Sequence, residues 1–278
     1  MAYDEDSRSQ LFDFLLSKGM FKKWDKGRTV EKIIRDLPEI SNTGMKENQT
    51  YDLDNTSNSR KNTVKNTMEI FAIPHTVSTT KDILAEDETY VELMEKFRVM
   101  KEKFDVKLFN GTEKTTEPRA MGSIVSFVPA ANKITVKVAE LEAMPFGKRE
   151  LWLEENVWSK VRGSVNCGFG QQHAITQLKT LVSPNVNIDL GATDRYLGNA
   201  SIALPIGTIV PVRDQNAPAN TLIVGNYNYM ELYYIQEPSL VPVPAPIRGK
   251  AFSVEMEASC LLRKPDNFVV ITFDYTAA

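Results

Sequence analysis

The chain has 278 residues, of which 42 % are apolar, enough to bury a sizeable hydrophobic core. Its 33 lysines and arginines against 36 aspartates and glutamates give a net charge of −3, which excludes a global basic field that would draw it to nucleic acid or anionic membranes. Only Cys167 and Cys260 are present, too few for a disulfide framework or a cysteine-based zinc cluster. A globular protein from a reducing compartment, without a cofactor, is therefore expected.

The amino-terminal stretch MAYDEDSRSQ is acidic, whereas a signal peptide begins basic and continues apolar. No stretch of the sequence approaches the roughly 18 uninterrupted apolar residues that a membrane span requires. We therefore expect no transmembrane segment, no secretion by a signal peptide, and a cytoplasmic or virion location.

Two short amphipathic segments occupy residues 1–40. In SQLFDFLLSKGMF the apolar side chains crowd one helical face, and in RTVEKIIRDLPEI the residues from Val30 to Leu37 follow the helical i, i+3, i+4, i+7 pattern. Each predicted helix is too short to be stable alone in water, so each must dock on the body of this protein or on a partner. The side chains predicted to make the partner contact are Leu11, Phe12, Phe14 and Leu15.

Residues 41–83 are predicted to be a polar arm or flexible linker. The stretch 41–67 is rich in Asn, Thr, Ser and Lys, and it has too few apolar side chains to offset the entropy cost of ordering. The following DILAEDETYVELMEKFRVMKEKF predicts one longer amphipathic helix over about 84–105, with an apolar stripe from Tyr90 to Phe104.

From residue 120 onward the hydrophobic period changes from that of a helix to that of a strand. KITVKVAE and KAFSVEMEASC alternate apolar and polar residues, which is typical of half-buried antiparallel strands. Further strands are predicted in SIVSFV, LWLEE, NVNIDL, ASIAL, TIVPVR, TLIVG, NYMELYYIQ and NFVVITFDY. Roughly ten short strands without long intervening helices predict a mainly β, α+β chain whose body, 84–278 with its leading helix, is an antiparallel β-sandwich or barrel. They exclude a doubly wound nucleotide-binding fold.

The stretch QEPSLVPVPAPIRGK stands out within this β region because it is rich in proline. Pro238, Pro242, Pro244 and Pro246 each lack the backbone N–H that a central strand needs. The stretch therefore predicts a stiff crossover or the edge of a sheet.

VNCGFGQQHAI, residues 165–175, brings Cys167 and His173 close in sequence and suggests a catalytic thiol. Such a nucleophile needs an imidazole within hydrogen-bond reach and a third orienting group, and thiol hydrolases usually take the base from elsewhere in the fold. The favoured interpretation is a buried thiol in a turn or bulge permitted by Gly168 and Gly170. A thiol hydrolase remains a remote alternative. No other catalytic residue, metal site or small-molecule substrate is predicted.

The strongest local patch for a polyanion is PFGKRELWLEENVWSKVRG, residues 145–163. It mixes cations with aromatic rings, a combination that binds phosphates while stacking bases. Three glutamates in the same run cancel most of the charge, and the tryptophans are also consistent with core anchors. The residues predicted to contact nucleic acid or a partner are Lys148, Arg149, Trp152, Trp158, Lys160 and Arg162.

A polar arm followed by a β-rich body with Pro/Asn-rich connections, such as RDQNAPANTL and LVPVPAPIRG, resembles the architecture of viral structural proteins of the coat or matrix type. The resemblance covers residues 41–278. Residues 1–70 hold 12 lysines and arginines and 12 aspartates and glutamates, so the basic arm common in RNA-packaging coat proteins is missing. The resemblance implies a non-enzymatic, self-associating structural protein, a homo-oligomer. The alternative is a nucleic-acid-binding or transport module such as a viral movement protein.

Overall fold

The strands of this chain form two main sheets and a two-stranded ribbon. A computed structural model describes residues 9–35, 61–78, 86–182, 201–244 and 249–276. Within these ranges the helices are α1 (Gln10–Ser17), α2 (Glu86–Asn110), α3 (Ile124–Phe127), α4 (Val138–Glu142), α5 (Phe146–Asn156) and α6 (Gln172–Val182). The strands are β1 (Phe21–Lys23), β2 (Thr29–Arg35), β3 (Lys61–Thr67), β4 (Glu69–Ser78), β5 (Lys133–Lys137), β6 (Cys167–Gly170), β7 (Ile202–Leu204), β8 (Gly207–Arg213), β9 (Thr221–Gly225), β10 (Met230–Val243), β11 (Gly249–Leu262) and β12 (Val269–Asp274).

The first sheet has four strands in the order β1-β10-β11-β4. Its centre is the antiparallel pair β10 and β11, each 14 residues long, while β1 joins in parallel at Phe21 opposite Leu232. In β4 alternate residues are buried, which matches the period of two of a strand with one face on a core. Helix α2 covers that face, where Phe71 of β4 meets Phe104 with ring centroids 5.3 Å apart.

The second sheet has six strands in the order β5-β12-β9-β6-β8-β7. Helices α4, α5 and α6 contribute Leu141, Leu153 and Leu178 to a core that also contains Val224 and Ile271 of the sheet. The pairs β5–β12 and β6–β8 are parallel, so this sheet is mixed. The expected α+β class is therefore confirmed, but mixed sheets covered by helices replace the layout of an antiparallel sandwich or barrel.

Three segments adopt a structure other than the predicted one. RTVEKII is strand β2, because it pairs over its length with β3 and its β-branched residues fit a pleated ribbon. SIVSFV contains the short helix α3, whose Ser123 hydroxyl caps it by accepting from the Ser126 amide at 3.2 Å. LWLEE lies in α5, where Leu153 is buried and Leu151 is exposed, so the two leucines do not share a face. NVNIDL lies outside the described residues.

The glycines of VNCGFGQQHAI occupy a central strand and not the predicted turn or bulge. Strand β6 is buried at all four positions, and neither Gly168 nor Gly170 has the positive φ that would require glycine. Glycine is needed here for space, since a Cβ on Gly170 would lie 2.7 Å from the Thr221 carbonyl oxygen of neighbouring β9.

Part of the predicted arm is also sheet. Residues 61–78 form β3 and β4, whereas 41–60 and 79–83 lie outside the described residues. The first sheet thus draws strands from 1–40, 41–83 and 84–278 alike.

The predicted sheet edge at the proline-rich stretch is confirmed for the part that lies in β10. Strand β1 pairs with β10 only as far as Tyr234, so in the described structure the outer edge of β10 is unpaired at Pro238 and Pro242. Register shifts against β11 fall between Tyr234 and Ser239, where a proline interrupts the ladder.

We predict that Gly170→Val lowers the free energy of unfolding by at least about 2 kcal/mol, because the added atoms collide with backbone that cannot move aside. Gly168→Val should cost less, since its Cβ would meet the movable end of Ile209 at 3.1 Å. Gly147→Ala on α5 is the control, because a Cβ there meets nothing within 4 Å and helix propensity improves. Urea denaturation of the three variants checks the order.

Candidate functional site

The two-stranded ribbon of β2 and β3 is separate from both main sheets in the described structure, and several side chains beyond its base are exposed. Seven residue pairs hold it together, from Thr29 opposite Thr67 to Arg35 opposite Lys61. Val30 at its base is buried, whereas Ile33 further out leaves 63 % of its surface exposed. A ribbon of two strands is marginally stable by itself in water. The ribbon is therefore a candidate contact surface for another chain.

A buried carboxylate fixes the base of the ribbon to the first sheet. Glu231 of β10 is 1 % exposed and accepts bonds from Lys22 Nζ at 2.7 Å, Lys32 Nζ at 2.6 Å and the Tyr233 hydroxyl at 2.5 Å. Arg263 Nε lies 3.5 Å away. Burial alone raises the pKa of Glu231, but these partners outweigh burial and lower it to about 2. Because Lys32 belongs to β2, the charge cluster holds the ribbon in one position.

A neutral anchor holds the other strand of the ribbon. Asn66 of β3 is fully buried, and its Nδ2 donates to the Gly122 carbonyl at 3.0 Å and to the Cys260 carbonyl at 2.7 Å. Its Oδ1 accepts from the Gly122 amide at 2.8 Å and from the Thr67 amide at 2.9 Å. A side chain with both ends satisfied in this way tolerates no other register of β3.

The predicted N-terminal contact is made, but within this chain. Leu11, Phe12 and Leu15 of α1 are buried in the core between the two sheets, so they are not available to a partner in this structure. Phe14 is partly buried and packs edge-on against Phe169, with ring centroids 5.9 Å apart. Docking on the protein's own body is thus the alternative that the structure supports.

The thiol and the imidazole of VNCGFGQQHAI do not form a catalytic pair. Cys167 is fully buried and donates to the Gly225 carbonyl at 3.2 Å, and burial raises its pKa far above the ordinary value. His173 is exposed at the start of α6, where its ring lies 3.3 Å from the Asn220 side-chain oxygen and 4.9 Å between centroids from Tyr275. A protonated, inaccessible thiol cannot serve as a nucleophile.

The predicted 145–163 patch separates into structural and exposed members. Arg149 donates to the carbonyls of Leu141, Glu142 and Met144 and so completes the C-terminal end of α4. The two tryptophans pack on the second core, Trp158 buried and Trp152 partly buried. Exposed members are Lys148, Lys160 and Arg162.

The structure adds cations to the exposed end of this patch that the sequence does not place there. The Arg162 amide donates to the Asp266 carbonyl at 2.9 Å, which brings the loop after β11 alongside. In that loop Lys264 Nζ lies 4.6 Å from the centre of the Tyr229 ring, and the Arg263 guanidinium lies 6.0 Å from the same centre. We call Arg162, Tyr229, Arg263 and Lys264 the cationic cluster. Its members are distant in sequence, so no local pattern predicts it.

Two further findings apply to the part of the chain that the structure describes. No group of three or more His, Cys, Asp or Glu side chains there is arranged to hold a metal ion. No helix in those ranges is long and apolar enough to cross a membrane.

The overall fold of this chain is similar to the folds of solved capsid and encapsulin structures. The structural alignment with the capsid of an empty GTA particle covers 98 % of this chain and 98 % of the capsid chain, at 10 % identity and a TM-score of 0.61. The alignment with a chain of Mycobacterium phage Adephagia covers 100 % of this chain and 93 % of the phage chain, at 13 % identity and a TM-score of 0.60. The alignment with the SrpI encapsulin of Synechococcus elongatus PCC 7942 covers 95 % of this chain and 89 % of the encapsulin chain, at 12 % identity and a TM-score of 0.57. These likenesses show the fold.

The particular family follows from the sequence. The family model of the SU10 major capsid protein matches residues 15–273, and the chain belongs to that family. No curated protein matches the chain. The predicted viral structural role is confirmed: the protein is a structural capsid subunit that assembles with copies of itself and is part of the virion.

We predict that Glu231→Gln lowers the free energy of unfolding by about 3 kcal/mol at neutral pH, since the lowered pKa measures how far the folded state favours the anion. In the unsubstituted protein this stabilisation is complete above the unfolded pKa of about 4.5 and is lost as the pH falls toward 2. The two proteins should therefore converge in stability at acid pH.

Urea denaturation at neutral and acid pH measures both curves. Glu140→Gln is the matched control, because Glu140 pairs with Lys137 at an exposed position, where an ion pair contributes little. Equal effects of the two substitutions at neutral pH would contradict the role of Glu231.

Proposed function

We propose that this chain is the repeating subunit of a closed protein shell, in which the outer half of the ribbon covers part of a neighbouring copy. The main support for this proposal is the difference between the two ends of the ribbon. Its base is fixed by Glu231 and Asn66, whereas Ile33 further out is exposed. The solved neighbours include the capsid of an empty GTA particle and an encapsulin complex, which supports a shell as the product.

The chemistry of the ribbon suits a partner of the same kind. Both of its outer edges are unpaired within the described structure, and open strand edges are templates for contact with another chain. Its exposed side chains carry both signs of charge, as Glu31 and Lys65 directly opposite each other illustrate. The small net charge of −3 per subunit also limits repulsion between many copies in one shell.

Assembly of the full-length chain tests this proposal by negative-stain microscopy and sedimentation velocity. We expect closed particles from the natural sequence and mostly free subunits from Ile33→Glu, which places a charge on the uncovered apolar surface. Ile33→Val is the control and should assemble, because it keeps an apolar β-branched side chain. Circular dichroism should show that all three proteins are folded. A strictly monomeric natural protein, or normal particles from Ile33→Glu, would refute the proposed contact.

We further propose that the cationic cluster contacts nucleic acid. Two observations support this: Arg263 and Lys264 lie beside one partly exposed Tyr229 ring, and hydrogen bonds of its backbone hold Arg162, from a segment about 100 residues away, against the loop that carries them. Guanidinium and ammonium groups bind phosphates, and an adjacent aromatic ring offers a surface for a base. The contact is electrostatic and independent of base sequence.

Binding of the subunit to single- and double-stranded DNA at several salt concentrations tests the cluster. The double variant Arg162→Ala/Lys264→Ala should bind more weakly, and the slope of log K against log salt should shrink by about one for each lost phosphate contact. Lys103→Ala/Lys148→Ala is the matched control, because it also removes two exposed cations, which lie on α2 and α5 outside the cluster. Equal losses in both variants would show a diffuse charge effect and exclude this cluster as the site.

A further inference from the structure

Two carboxyl groups face each other in the interior, where α1, α2 and the end of β8 meet. Asp105 lies on α2 and Asp214 directly follows β8, and both are 0 % exposed. Successive amides of α1 donate to the two carboxyl groups, and Asn216 donates to both, so the two groups lie side by side. Two ionised carboxylates in contact repel strongly in such a site, so the pair holds one proton between them.

The same pair receives the amino-terminal end of α1. Asp214 Oδ2 accepts from the Leu11 amide at 2.8 Å, and Asp105 Oδ1 accepts from the Phe12 amide at 2.9 Å. The residue that precedes the helix, Ser9, provides no side-chain cap, so the two aspartates replace it. One negative charge at this position is favourable because it faces the positive end of the helix dipole.

The hydrogen bonds indicate which carboxyl carries the proton. Both oxygens of Asp214 accept a main-chain amide, since Oδ1 also accepts from Asn216 N at 2.8 Å. Asp105 offers one oxygen to a main-chain amide, and its Oδ2 accepts only the longer 3.2 Å bond from the Asn216 side chain. Burial first, and then the charge of Asp214, raise the pKa of Asp105 well above its ordinary value. The proton therefore belongs on Asp105, directed at Asp214.

The charged groups on the surrounding elements do not compensate a second negative charge. On α1 the charged residue is Asp13, which pairs with Lys101 of α2 at 3.3 Å. Next to Lys101 on α2 is another acid, Glu102, and on β8 Arg213 is exposed. Strand β6 contributes the Gly170 carbonyl, which accepts from the Asp214 amide at 2.9 Å. Loss of the shared proton would thus leave two facing anions in the interior.

We propose that Asp105 and Asp214 form a pH-sensitive clasp, which holds α1 against both sheets while the shared proton is present and loosens as the pH rises. The clasp reaches both sheets because α2 packs on the first and β8 belongs to the second. It is a property of the subunit and does not depend on the proposed shell or nucleic-acid contacts.

The direction follows from proton linkage. When α1 is detached the two carboxyls meet water and titrate near the ordinary value of about 3.9, whereas the docked pair retains one proton to higher pH. Between these two values the docked state binds one more proton than the detached state. Each pH unit in that window therefore weakens docking up to about tenfold, and above the raised pKa the effect levels off.

Hydrogen exchange of the full-length chain, followed by mass spectrometry from about pH 5 to about pH 10, spans the range of buried carboxyls. After correction for intrinsic exchange rates, the peptide that covers α1 should lose protection by up to about tenfold per pH unit and then level off. The peptide that covers α5 is the internal control and should not follow that curve, since α5 packs on the second core through Leu153, whereas α1 lies in the first. A pH-independent α1 would overturn the proposal.

Asp105→Asn separates the clasp from general loosening. Its amide nitrogen can donate to Asp214 at all pH values while its oxygen still accepts from the Phe12 amide, so the α1 profile should become flat. Asp13→Asn is the matched control, because it neutralises a carboxylate on α1 itself outside the pair. It should keep the pH dependence of the natural protein. If Asp105→Asn retains that dependence as well, the shared proton is not its cause.

Discussion

The packing of α1 between α2 and the second sheet is the contact on which the rest of the subunit depends. Phe12 meets Phe104 of α2 edge-on at 5.4 Å between ring centroids, and two residues further Phe14 meets Phe169 of β6 at 5.9 Å. A helix of eight residues is not stable alone in water. The burial of its apolar side chains must therefore stabilise α1, at about 2 kcal/mol for each fully buried leucine or phenylalanine. Because α1 inserts at this seam, the two sheets share one core instead of behaving as separate domains.

A shared core matters for a capsid subunit because it defines where the ribbon points. The ribbon is fixed to the first sheet through Glu231 and Asn66, and that sheet is fixed to the second through the α1 core. Buried polar groups of this kind contribute less to net stability than to uniqueness, since any other position would leave a buried charge or amide without partners. These buried groups thus set the direction of the ribbon, and with it the direction of the proposed contact with another copy.

Local hydrophobic periodicity predicted the helices and strands whose structure follows from their own sequence. It failed where pairing with a distant strand determines the structure. Helix α2 and strand β11 follow their patterns, but residues 29–35 have a helical spacing of apolar residues and are nevertheless a strand, because they pair with β3 some thirty residues away. The anchoring site was not predictable, because Lys22 and Lys32 reach Glu231 across 209 and 199 positions of sequence. The glycines of β6 were misassigned for a related reason: they make room for neighbouring strands, Gly168 for the Ile209 side chain of β8 and Gly170 for the backbone of β9, and not for a turn of their own.

The two buried acidic sites show why a net charge of −3 says little about how this subunit responds to pH. Glu231 is surrounded by two lysines and an arginine, so the fold favours its anion and acid weakens the base of the ribbon. Asp105 is buried and faces another carboxyl, so the fold favours its protonated form, and in the proposed clasp alkali opposes the packing of α1. The same chemical group is thus driven in opposite directions by its neighbours. A subunit that needs both the ribbon and α1 in place is then best ordered between these limits, where one carboxylate is ionised and the other shares its proton.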